Sequence, residues 1–137
     1  MIRNSLIDCK EGDKKKIKRF ISLVENLDRD NSLNISFHAV ANAYRAKLTI
    51  NPLKKIQYLD LFSKEISSAV ANVSKEDRFE VIFLRYLIEN NIPKGLGFSN
   101  NIIEDKKELN ESINTIDTKS FNPEYMKFIT NVLEKLR

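Results

Sequence analysis

The sequence predicts a single all-α domain over residues 1–137, built of about six antiparallel helices stacked as hairpins, tetratricopeptide-like or as a compact bundle. Three observations carry that expectation. Apolar residues recur at three- and four-residue spacing in every long segment, while the two-residue alternation of a strand is never sustained. Helix-start signals are dense, with Asn-Pro pairs at 51–52 and 122–123 and capping residues at 13, 74 and 101. Only three glycines and three prolines occur in 137 residues, so the elements must be long and their connections short.

Beyond a short extra helix expected over residues 3–11, the first long helix starts at Asp13. It presents Ile17, Phe20, Ile21, Val24 and Leu27 on one face. The polar stretch 28–32 ends it. Phe37, Val40, Ala41, Tyr44 and Leu48 define the second, with Ser36 or Asn34 as its expected cap. Asn51-Pro52 opens the third, carried by Ile56, Leu59, Ile66, Val70 and Val73. Proline fits the first helical position because its missing N–H would have no partner there.

Ser74 with Asp77 reads as a capping box before Phe79, Val81, Ile82, Phe83, Leu84, Tyr86, Leu87 and Ile88. A helix so apolar all round belongs at the centre of the fold, over residues 76–91. Pro93, Gly95 and Gly97 end it, and Leu96 and Phe98 are expected to anchor the loop in the core. Asn101 with Glu104 starts the next helix, which turns Ile102, Leu109, Ile113 and Ile116 inward. Asn122-Pro123 starts the last, with Tyr125, Phe128, Ile129, Val132, Leu133 and Leu136 on its apolar side.

Composition sets aside several classes of function. The longest apolar run, Val81-Ile82-Phe83-Leu84, is far too short to cross a membrane. No leader-like apolar stretch opens the chain, and the lone Cys9 suits a reducing compartment, so a cytoplasmic location is expected. A lone cysteine cannot build a zinc site, and the single histidine, His38, has no Asp, Glu or Cys four residues away to make a metal pair. Cys9 is expected to pack as a small residue, and His38 to sit at the surface or its boundary. No cofactor, metal or catalytic residue is expected, and the chain does not read as an enzyme.

Ala39, Ala41, Ala43 and Ala46 followed by Asn51-Pro52 resemble the small packing positions and terminal proline of tetratricopeptide hairpins. A longer resemblance runs over residues 42–109, carried by Ala43-Tyr44-Arg45-Ala46-Lys47, Glu80-Val81-Ile82-Phe83-Leu84-Arg85-Tyr86 and Pro93-Lys94-Gly95-Leu96-Gly97-Phe98, then Asn101-Ile102-Ile103-Glu104-Asp105-Lys106. There the chain resembles an uncharacterised family of small α-helical, tetratricopeptide-like proteins of Bacteroidetes-type bacteria. The resemblance implies a helical-hairpin fold and transfers no activity. Ile82 stands where it would lead one to expect arginine.

The expected function is that of a non-catalytic interaction module, an adaptor holding a peptide or partner helix between hairpins. Tyr44, Lys47, Tyr58, Arg78 and Arg85 are the candidate partner-binding residues, being large, polar-tipped and near expected helix seams. The competing reading of Arg85 is an ion pair with Glu89, Glu104 or Asp105 that secures the glycine loop. An alternative partner is nucleic acid, bound by Lys14, Lys15, Lys18 and Arg19 in the densest cationic run. Net charge argues for neither, at +4 with a pI near 9.1. A homodimer through helix 123–136 is a further alternative.

Overall fold

The computed structural model describes residues 1–116 and 121–135. Among them are seven α-helices and no strand: α1 (Ile2–Asp8), α2 (Lys14–Glu25), α3 (Ser32–Leu48), α4 (Pro52–Asn72), α5 (Lys75–Glu89), α6 (Ile102–Ser112) and α7 (Pro123–Lys135). A 3₁₀ turn, Cys9–Glu11, follows α1. None of these helices is long and apolar enough to cross a membrane. Leu136 lies outside the described residues.

Local side-chain chemistry starts several of the helices. The Asp13 carboxylate accepts from the N–H groups of Lys15 and Lys16, and Asn51 Oδ1 accepts from those of Leu53 and Lys54. Asn122 Oδ1 accepts from the Tyr125 N–H at 2.8 Å. Three expected caps are corrected. Asn31, not Ser36 or Asn34, caps α3, because its carbonyl oxygen reaches the Asn34 N–H at 2.9 Å. Ser36 lies inside the helix, its hydroxyl donating to the Leu33 carbonyl. Ser74 and Asn101 stand at the N-cap positions of α5 and α6, but neither side chain caps its helix.

α3 and α4 form the most extensive pairing, an antiparallel hairpin joined by Thr49–Asn51. Its antiparallel sense shows in the polar contacts: Lys55 Nζ donates to the Ala46 carbonyl near the turn, and farther from it Asn42 of α3 donates to Glu65 of α4. Fully buried Ala39 and Ala41 fit close packing on α3. Phe62 and Ile66 cover α3 from α4, while Ile56, expected inside, is 42% exposed.

α5 is the central element. Val81, Ile82, Phe83, Leu84 and Tyr86 have no exposed surface. α3, α4 and α6 pack on it directly. The aromatic side chains of α7 reach it too: Phe83 meets Tyr125 and Phe128 edge-on at centroid distances of 6.3 and 5.9 Å. α7 also packs on α1, which closes the bundle around α5.

Two carboxylates buried on opposite sides of α5 fasten that closure. Glu80 receives Arg3 bidentately from α1, at 2.7 and 2.6 Å, and the Tyr125 hydroxyl from α7 at 2.8 Å. Burial first, and the Glu80 charge second, push the Tyr125 phenol well above its ordinary range, so it stays protonated and donates. On the α6 side, Arg85 grips Asp105 at 2.8 and 2.7 Å.

Candidate binding groove

A groove of about 1010 Å³ runs where the C-terminal ends of α3 and α5 approach the 3₁₀ turn, the start of α4 and the end of α7. Its floor is apolar, from Leu59, Leu87, Ile88, Phe128 and Val132, and the small Ala43 and Ala46 leave space beside α3. Four lysines line it, Lys10, Lys47, Lys55 and Lys135, against two glutamates, Glu11 and Glu134. A concave apolar surface with a cationic surplus suits an amphipathic occupant carrying acidic groups.

The groove has an ordered polar end. Lys47 reaches from α3 over the turn before α2, its Nζ close to the space a Cβ on Gly12 would occupy, at 3.4 Å. Gly12 has φ 77°, a left-handed conformation that glycine adopts without strain, which is why this turn favours glycine. Beside it the Cys9 thiol donates to the Ser5 carbonyl at 3.3 Å. Burial, with a smaller contribution from Asp8, pushes the thiol up to about 11, which makes it a packing residue and not a nucleophile at neutral pH. Tyr44 lies against Phe20 edge-on, ring centroids 5.6 Å apart, and burial raises its phenol above the ordinary value.

The five partner-binding candidates are not brought together. Tyr44 and Lys47 line the groove. Tyr58 is half-buried against the core and does not line it. Arg78 and Arg85 lie on the α5–α6 seam, their guanidinium groups taken by Glu108 and Asp105. The ion-pair reading of Arg85 is therefore the observed one. Lys55, Phe128, Val132 and Lys135 complete the groove from parts of the chain that no local spacing connects to Tyr44.

Two other expectations are corrected. His38 is 8% exposed, not at the surface, and its Nε2 donates to the Leu27 carbonyl at 2.8 Å. It thereby satisfies a backbone oxygen freed where α2 ends. Leu96 is 42% exposed at the groove rim, whereas Phe98 does pack on the core. Gly95 and Gly97 carry positive φ, which lets the loop turn without burying both residues.

That loop is held by Glu89. Its carboxylate accepts from the Asn101 N–H at 2.9 Å and from Asn101 Nδ2 at 2.8 Å, so it caps α6 from another helix. The Ser99 hydroxyl donates to the Glu89 carbonyl. Burial raises the Glu89 pKa above the ordinary 4.5, against the lowering effect of the Asn101 bonds and Arg85. In the interval above 4.5 the folded state thus holds more protons than the unfolded chain, and stability falls as pH rises through it. Urea denaturation across a pH series should show that decline flattened in Glu89→Gln. An unchanged slope in the variant would assign the pH dependence elsewhere.

No group of histidine, cysteine, aspartate and glutamate among the described residues is arranged to hold a metal ion. Comparison with known proteins finds no matching family model, no matching curated protein and no matching solved structure.

Proposed function

We propose that this chain is a non-catalytic interaction module, tetratricopeptide-like in use, which holds an acidic amphipathic peptide or partner helix in the groove between α3, α5 and α7. The observation that supports this reading is the groove itself, an apolar floor under a rim where lysines outnumber glutamates. Apolar side chains of the occupant would cover Ile88, Phe128 and Val132, and its carboxylates would meet Lys10, Lys47 and Lys135. An adaptor role in a cytoplasmic setting accords with a single cysteine kept buried and protonated.

The test is a library of displayed amphipathic peptides selected against the intact protein, with the recovered sequences measured by fluorescence anisotropy. Acidic amphipathic sequences should be enriched. Leu96→Asp and Lys47→Glu should each weaken them by roughly tenfold, about 1.4 kcal/mol, while Lys64→Glu on the outer side of α4 leaves them unchanged. Failure to recover any peptide, or recovery of peptides indifferent to both groove variants, would refute the assignment.

A further inference from the structure

The first two turns of α2 carry Lys14, Lys15, Lys16, Lys18 and Arg19, and all five are exposed. None of their side chains has an ion-pair or hydrogen-bond partner among the described residues. This contrasts with the arginines at 3, 29, 45, 78 and 85, each of which grips a carboxylate. The five charges exceed the net +4 of the whole chain, so the rest of the protein is slightly acidic. Cations at the start of a helix also oppose its macrodipole, and the first turn of α2 holds no acidic residue to offset them.

We propose that this face of α2 is a docking surface for the phosphate backbone of duplex nucleic acid, independent of the groove. The charge density favours that partner. Lys14, Lys15, Lys18 and Arg19 fall within ~140° of the helix circumference over ~7.5 Å of axis, one charge per ~1.9 Å, against one phosphate charge per ~1.7 Å of duplex axis. Lys14 with Lys18, and Lys15 with Arg19, form two parallel i,i+4 rows that can follow neighbouring phosphates.

The other anionic partners lack a matching feature. Single strands are held by stacking on aromatic side chains, and the one aromatic residue of α2, Phe20, is fully buried. Anionic membranes are held by apolar side chains inserted beside the cations. The exposed large apolar residues all lie elsewhere, at positions such as Ile50, Leu53, Leu61 and Ile103. The helix terminus itself is closed by the Asp13 carboxylate, so the side chains make the contact. Binding through phosphates alone is indifferent to base sequence.

The experiment is anisotropy of a labelled duplex of about 20 base pairs titrated with the intact protein between 50 and 200 mM salt. Neutralising up to four phosphates predicts a slope of log K against log salt near −4, a loss on the order of 10²-fold across that range. The variant Lys14→Gln/Lys15→Gln/Lys18→Gln/Arg19→Gln should bring the slope close to −1. A control that neutralises Lys54, Lys94, Lys107 and Lys127 removes the same charge and should leave binding within a few fold. Circular dichroism should show both variants folded, since every altered residue is exposed. Equal losses in variant and control would overturn the proposal. So would absent duplex binding, whether or not single strands or anionic vesicles bind.

Discussion

Tyr125→Ala is expected to lower the stability of the protein by about 4 to 5 kcal/mol, at the upper end for an aromatic truncated in a core. The side chain has no exposed surface and meets Phe83, Phe121 and Phe128 at ring-centroid distances of 5.3 to 6.5 Å. Arg3 lies over the same ring at 5.6 Å. Truncation removes those contacts and also the hydroxyl that donates to buried Glu80. Tyr125→Phe separates the two contributions, because it removes only that bond while Glu80 keeps Arg3; about 1 kcal/mol should be lost. Chemical denaturation measures both variants. Equal effects would mean that the hydroxyl, not the ring, holds α7 in place. Because Phe128 and Val132 of α7 belong to the groove's apolar floor, Tyr125→Ala should also abolish any peptide binding there.

Arg85→Met should cost about 3 kcal/mol. The Asp105 side chain is 3% exposed and would be left as a buried charge with its bidentate partner gone. At this chain length the melting temperature should fall by on the order of 10 °C. The double variant Arg85→Met/Asp105→Leu replaces the pair by apolar groups and should recover most of the loss, since desolvating two charges offsets much of their attraction. Thermal denaturation of the single and double variants decides this. A double variant no more stable than the single would show that the pair itself, and not the orphaned carboxylate, dominates. The Arg78–Glu108 pair on the same seam is far more exposed, and its removal should cost under 1 kcal/mol.

Interactions between residues close in sequence are legible in it. Asp13, Asn51 and Asn122 cap because an N-cap side chain needs only the N–H groups two or three residues on. The all-α class and the central position of α5 follow from apolar periodicity, a property of one helix at a time. Arg85–Asp105 was legible because the two helices are consecutive and an arginine in so apolar a helix needs an acid. Asn101 was misread as capping its own helix. The group that satisfies the start of α6 is Glu89, a residue twelve positions earlier that reaches it only through the loop's path.

The sequence by itself determined the helical class, the starts of α2, α4 and α7 and the exposed cationic face of α2, because these depend on neighbours within one or two turns. Tertiary structure alone decided that Arg3, Glu80 and Tyr125 meet across separations of 77 and 45 residues, and that Tyr44 and Lys47 share a groove with Phe128 and Lys135 while Arg78 and Arg85 face away from it. The physical reason is that periodicity states which face of a helix is buried but not against which partner. That choice is made by side-chain fit and by pairing buried charges, once all the helices are present together.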